Sequence, residues 1–398
     1  MMAVGGKVRK STAGILSIVC FNAITYLLIG LPLAVFPGVV HFKLGYSAAL
    51  AGGVISLQYL ATLITRSVVG RLSDLRGGKI VVMGGLAFAF LNGLCILAAG
   101  VSHAPLVVLG WLLLSRLLLG AAESGTGTGC NVWGMSRFGP SCMAEVMSWN
   151  GVASYGGIAA GAPIGVVLMH TGGLFALAMV AILLPLLGFV VAIFRPSAPP
   201  IAGTKRMSML NVVRYVWLHG VALACGSFGF GVIVAFMALY YAAHGWSGAA
   251  YALTSFGVAF VLVRVFFTGV IGRFGGFRPA LLSLAVEVVG QVMLWLAPDP
   301  ALALVGAALV GLGASLLFPA LGVEALKVVE PGSRGGAIAM YGVFMDIALG
   351  ITGPVAGLVA GHYGYPAIFC VGAIVVCTGC GVTYRLFARE QWREAQSL

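Results

Sequence analysis

Charge is what this chain has least of. Ten Asp and Glu and 22 Lys and Arg make 8% of its 398 residues, against 61% hydrophobic ones, whereas water-soluble domains run near a quarter charged. Too little polar surface remains to cover a soluble globule, so the chain reads as an integral membrane protein. It also lacks a Walker phosphate loop, a G-x-S-x-G elbow and an H-E-x-x-H helix. ATP hydrolysis and covalent catalysis therefore have no support, and neither an enzyme, a cofactor nor a metal site is expected. Long polar stretches are absent too, which leaves no room for a soluble domain.

What is present is a series of apolar runs. A bilayer core about 30 Å thick needs roughly 20 apolar residues per helix, and the chain divides into twelve such runs: 13–40, 48–70, 79–101, 105–130, 142–169, 173–194, 211–242, 247–271, 279–297, 301–326, 335–361 and 366–388. The expectation is an all-α fold of twelve transmembrane helices in two similar six-helix bundles, 1–194 and 211–398, joined by a cytoplasmic linker at 195–210. With both termini cytoplasmic, all but four of the 22 Lys and Arg residues fall on that side; the four are Lys43, Arg66, Arg116 and Arg264. Such a bias sets orientation in the membrane. The net charge of +12 is spread over every cytoplasmic turn, which suits anionic lipid headgroups better than a nucleic acid.

Eight cysteines lie in apolar runs or at a cytoplasmic helix start, so disulfides are not expected. Cys377 and Cys380 form a C-x-x-C pair with no second pair to complete a metal site. His41, His103, His170, His244 and His362 come from five separate outer turns, a pattern of interfacial solvation rather than of a ligand set.

The halves repeat. A shift of 191 residues superposes Gly120 on Gly311, Ser124 on Ser315, Pro140 on Pro331, Gly151 on Gly342, Pro163 on Pro354 and Gly173 on Gly364. Parallel repeats of this kind build a substrate site near the bilayer midplane. The ten residues G-R-L-S-D-L-R-G-G-K, Gly70 to Lys79, form a charged hairpin between two apolar runs, with Arg71, Arg76 and Lys79 on the positive-inside face. Asp74 there can dock on the positive end of the helix starting near Gly335 and Gly336, a contact able to latch the cytoplasmic side; a solvated turn is the alternative.

Charges inside the membrane cost several kcal/mol and usually face a cavity or partner. Arg116 sits near mid-depth, Glu123 lies seven residues on along the same face, and Asp346 is at similar depth in the eleventh run. These three are the proton-coupling candidates, with a static buried ion pair as the competing use. Arg264 and Glu287 flank the turn at Gly275 and Gly276 at similar distances and are expected to pair across it. Arg66, Glu324 and Lys327 are expected to snorkel towards headgroups. Candidates for a substrate cavity are Asn22, Tyr26, Gln58, Tyr59, Trp149, Asn150 and Tyr155, for which helix-to-helix hydrogen bonding is the competing use.

These motifs together resemble the major facilitator superfamily. Gly70 to Lys79 is similar to that family's loop between helices 2 and 3, Arg116 with Gly120 resembles its fourth-helix arginine motif, and Gly157, Gly161, Pro163 and Gly165 resemble its antiporter motif, with Ala162 separating the glycine from the proline. The stretches G-L-P-L-A-V-F-P-G after Ile29 and V-I-S-L-Q-Y-L-A-T-L after Gly53 resemble the bacterial YhhS-type branch. The resemblance covers the whole chain. It implies a monomeric secondary transporter coupled to protons, most simply an efflux antiporter for a small organic molecule, with uptake by symport or a non-transporting membrane sensor as alternatives.

Overall fold

The computed structural model describes residues 2–139, 142–198, 209–267, 269–329 and 334–396, and among these every regular element is helical. The twelve membrane helices are α1 (Met2–Leu33), α2 (Ala48–Arg76), α3 (Gly78–Val101), α4 (Pro105–Phe138), α5 (143–171), α6 (174–194), α7 (Met209–Ala243), α8 (Ala249–Phe266), α9 (Phe277–Trp295), α10 (Pro300–Lys327), α11 (Arg334–Tyr363) and α12 (Tyr365–Gln396). Eleven helical stretches are long and apolar enough to cross a membrane. The longest, Met143–Phe194, carries non-helical backbone at Gly172 (φ −150°) and Gly173 (φ 61°), so it is two spans joined by a glycine corner, α5 and α6. A φ of 61° is one that glycine adopts without steric cost.

Prolines and glycines explain where helices differ from the sequence expectation. The first run, expected to be helical over 13–40, stops at Leu33; a short turn of helix, Phe36–Gly38, and a π-helical stretch, Val39–Lys43, follow. Pro37 has no N–H to offer the helix it would have to continue. The eighth run, expected over 247–271, ends at Phe266 and is followed by the short helix Gly269–Phe274.

The hairpin expected at Gly70 to Lys79 is smaller than the sequence suggests. Helix α2 runs through Arg76, Gly77 alone breaks it with φ 86°, and α3 starts at Gly78. Gly78 packs on α4, where an added Cβ would collide with Trp133 and the Gly129 carbonyl. Arg71 and Arg76 are exposed, and the side chain of Asp74 lies outside the described residues. Lys79, expected on a latch, donates from Nζ to the carbonyls of Ile193 (2.8 Å) and Arg195 (2.6 Å). It therefore closes the end of α6, where a cation suits the exposed carbonyls and the negative end of the dipole. Lys79→Met is expected to loosen this end by about 1 kcal/mol, to be read as faster amide exchange in the last turn of α6; unchanged exchange would mean that water replaces the lysine at no cost.

By its internal contacts the chain forms two compact units, one of 1–36 and 57–202, the other of 37–56 and 203–398. In the first, α3 packs along α4 and α1 along α5. Gly157, Gly161 and Gly165 rise every four residues on one face of α5 and meet the backbone of α1: a Cβ would fall 2.8 Å from Leu27 N at Gly157 and 2.5 Å from Leu27 O at Gly161, and would collide with the Leu31 carbonyl at Gly165. Small residues at this spacing let two membrane helices touch backbone to backbone. In the second unit, α11 packs on α7, and the N-terminal part of α2 meets α11, where Gly353 N donates to Ser56 Oγ at 2.9 Å.

Two expected placements are corrected. Glu324 does not snorkel: it is 2% exposed, accepts from the backbone N–H of Gly276 just before α9, and pairs with Lys327 at 2.6 Å. A carboxylate at a helix start satisfies an N–H that the helix leaves unbonded. Arg264 and Glu287 do not pair either. Neither carboxylate oxygen of Glu287 has a hydrogen-bond partner, while the Arg264 guanidinium lies 5.5 Å from the Phe260 ring centroid on its own helix, the nearest polarisable face one turn away.

Candidate functional site

Three helices of the first unit supply the site. On α4, Arg116 and Glu123 are seven residues apart, two turns along one face, which separates their Cα atoms by about 10 Å. Helix α2 contributes Gln58 and Thr62, and α1 contributes Tyr26. Gly120, midway between the two charges, lets α2 come into backbone contact with α4; a Cβ there would strike the Gln58 carbonyl and the Ala61 side chain. The glycine thus brings the polar face of α2 up to the charged face of α4.

Arg116 and Glu123 do not touch. Gln58 stands between them: its Oε1 accepts from Arg116 Nη1 at 3.2 Å, and its Nε2 donates to Glu123 Oε2 at 2.8 Å. Tyr26 OH donates to Glu123 Oε1 at 3.0 Å and Thr62 Oγ1 to Glu123 Oε2 at 3.2 Å. Arg116 is 0% exposed and Glu123 8%. Arg66, a further turn along the Gln58 and Thr62 face, is half-buried with its charge in electrostatic range of Glu123.

This arrangement leaves the arginine under-used. Its Nη1 has the one hydrogen bond to Gln58, its Nε and Nη2 have none, and its guanidinium carbon lies 5.1 Å from the Phe36 ring centroid. A cation held by an aromatic face and one amide retains donors for an acceptor that arrives. Glu123, by contrast, is held by three uncharged side chains. That makes two protonation states accessible in place, because a tyrosine or threonine hydroxyl can turn from donating to accepting.

A second network lies deeper along α1, α4 and α5. Asn22, fully buried, donates to Ser154 Oγ at 2.9 Å and accepts from Thr126 Oγ1 at 3.2 Å, while Asn150 Nδ2 donates to the Gly127 carbonyl at 3.3 Å. Both asparagines thus bind helix to helix. Trp149 packs into an apolar cluster with Ile15, Val19 and Val146, Tyr59 is buried, and Tyr155 is half-buried on α5. Asp346, 1% exposed on α11, belongs to the other unit.

The sequence reading missed Thr62, Phe36, Thr126, Ser154 and the reach of the Arg66 charge to Glu123. A signal for two of them was present: Gln58, Thr62 and Arg66 recur every fourth residue, which puts all three on one helical face. No group of three or more His, Cys, Asp or Glu side chains capable of holding a metal occurs among the described residues.

Twelve membrane-crossing helices and a buried, partly unsatisfied ionic network define a polytopic membrane protein of the transporter class. The family model described as Major Facilitator Superfamily matches residues 18–298 and 221–396, and the chain belongs to that superfamily. Among its relatives, an uncharacterized MFS-type transporter of Burkholderia mallei is 48% identical over 381 residues, 96% of this chain and 93% of that one. The uncharacterized MFS-type transporter YhhS of Shigella flexneri is 47% identical over 376 residues, 94% of this chain and 93% of that protein. Two solved structures share the fold: the nucleoside transporter NupG, with a TM-score of 0.74 at 13% identity (94% of this chain, 99% of that one), and the human organic anion transporter MFSD10, with 0.68 at 16% (94% and 99%).

Proposed function

We propose that the chain is a proton-driven secondary transporter that exports a small organic molecule across the bacterial cytoplasmic membrane by alternating access, exchanging it for protons. The observation that carries this reading is Glu123, a buried carboxylate held by Tyr26, Gln58 and Thr62 and linked through Gln58 to Arg116. An ionised carboxylate in a low-dielectric site is unfavourable without a partner, so a proton and the distance to a cation trade against each other. Protonation of Glu123 removes the negative charge at the far end of the Gln58 bridge from Arg116, and the two unused nitrogens of Arg116 support a substrate bearing an anionic or strongly accepting group. Coupling then follows: proton and substrate address the two ends of one hydrogen-bonded chain. Asp346 serves as a proton-coupling carboxylate of the second bundle, and Gly70 to Lys79, with Asp74, as the cytoplasmic latch. The bundles are 1–194 and 211–398, the working unit is a monomer, both termini are cytoplasmic, and the basic turns bind lipid headgroups.

The test has two stages. A strain lacking the gene is expected to become more sensitive to some organic anions or their analogues. Purified protein in vesicles is then expected to move that compound against its gradient only while a pH gradient is maintained. Transport indifferent to collapse of the pH gradient would reject proton coupling; accumulation on the side to which protons flow would make the protein a symporter; no flux of any screened compound would favour a sensor.

A further inference from the structure

Glu287 lies half-way along α9, about 15 Å from its start, and is 0% exposed. Its surroundings are made of small and apolar residues. A Cβ at Gly226 of α7 would stand 3.3 Å from Glu287 Oε2, one at Gly229 would collide with Oε1, and one at Gly313 of α10 would stand 2.8 Å from the Glu287 Cβ. Leu284, Leu317 and Val376 close the same core. Glycines on two neighbouring helices thus leave room for this carboxyl group where any larger residue would displace it.

Room has been made for the carboxyl group, yet nothing bonds to it. Both oxygens lack a hydrogen-bond donor, and so does Oε1 of Gln291, one turn further along α9; Gln291 Nε2 is engaged by the Gly229 carbonyl at 2.9 Å. Three buried acceptor atoms on adjacent turns have no donor, a deficit that costs several kcal/mol if the carboxylate is charged. The titratable side chains in electrostatic range are Cys225 of α7 and Cys380 of α12, and α10 contributes Gly313. None of these carries a positive charge to compensate.

We propose that Glu287, with Gln291, is a proton-binding site inside the second unit: its side chain takes a proton from hydronium to become a neutral carboxylic acid and returns it when that unit changes shape. The step moves a proton from hydronium to a carboxylate oxygen, leaving water and an uncharged acid, and supplies a donor where the folded core has only acceptors. As a coupling site Glu287 rests on the proton-driven reading above; as a proton-binding group it stands without it.

The experiment needs no substrate. Infrared spectra of the full-length protein in lipid nanodiscs, recorded across a pH titration, should contain a protonated-carboxyl C=O band that rises and falls reversibly, is lost in Glu287→Gln, and survives in Glu123→Gln. Should Glu287→Gln fail to fold, Glu287→Asp carries the test, because a carboxyl group one methylene shorter must shift the band. The proposal is overturned if the band is retained in full in Glu287→Gln, is unmoved in Glu287→Asp, is present but never titrates, or is removed by sodium at constant pH, which would make Glu287 a metal-cation ligand. A titrating Glu287 band beside vesicle transport that ignores the pH gradient would sink the coupling role of Glu123 and leave this site standing.

Discussion

Glu123→Gln is expected to abolish pH-driven accumulation while leaving the protein folded. The amide has nearly the shape of the carboxylic acid, and the three partners can all be kept: its oxygen accepts from Gln58 Nε2 and Thr62 Oγ1, and its NH2 turns to Tyr26, whose hydroxyl then accepts. What disappears is the proton. With one proton exchanged, each pH unit of gradient is worth about 1.4 kcal/mol, or roughly tenfold accumulation, and this factor should fall to one. Exchange of labelled for unlabelled substrate needs no net proton movement and should persist. A variant that still concentrates substrate as well as the parent does would show that the coupling proton lies elsewhere, whereas loss of both activities together would point to a failure to bind.

The fold was legible because membranes impose few solutions. Backbone N–H and C=O groups have no water to bond in the bilayer, so each apolar run must be a helix, and the count of twelve needed only the runs and the glycine corner at Gly172 and Gly173. Ends were less legible where one residue decides: α2 continues to Arg76 despite its charges, because Gly77 alone supplies the φ of 86° that turns the chain. The site was legible in part. Spacing places Arg116 and Glu123 on one face, but a spacing within α4 says nothing of which side chain from α2 comes between them. Depth and polarity mark Gln58 as a cavity candidate; its position as the bridge depends on Gly120, which sets how close α2 approaches.

Glu287 was misplaced for the same reason. Equal distances from a turn suggest a partner on the adjacent helix, but a helix also rotates about its axis, and α9 turns this residue towards Gly226 and Gly229 of α7 instead of towards Arg264. Periodicity predicts which residues share a face. It does not say which neighbour that face meets.

The internal repeat separates packing from chemistry. Gly120 abuts the backbone of α2 at Gln58, and its counterpart Gly311 abuts the backbone of α8 at Phe256; Ser315 extends the likeness by donating to the Phe260 carbonyl at 2.7 Å. At the same shift, however, Arg116 corresponds to Ala307 and Glu123 to Ala314, and by contact the place that Gln58 holds against Gly120 is taken by Phe256 against Gly311. Both units keep the close helix approach, and only the first fills it with charge. Apart from Glu324, which is paired with Lys327, the second unit has its buried carboxylates, Glu287 and Asp346, on α9 and α11, so any coupling must be asymmetric between the halves.

Gly161→Ala is expected to be strongly destabilising. The added carbon would fall 2.5 Å from Leu27 O and 2.8 Å from Gly30 Cα, and both are backbone atoms of α1, which cannot swing aside as a side-chain tip can. Helices α1 and α5 must therefore part along their whole contact, at a cost of about 1–3 kcal/mol and more if Gly157 and Gly165 lose contact with them. Gly156→Ala, one turn back on the same helix, provides the control, since nothing lies within 4 Å of its added carbon. It should be neutral or gain up to about 1 kcal/mol of helix propensity. Thermal unfolding of the two variants in detergent gives the comparison: a large drop for Gly161→Ala beside an unchanged or raised midpoint for Gly156→Ala is the expected result. Equal behaviour would mean that α1 and α5 do not touch at this seam, and that the four-residue glycine stripe on α5 serves motion or lipid contact instead of close packing.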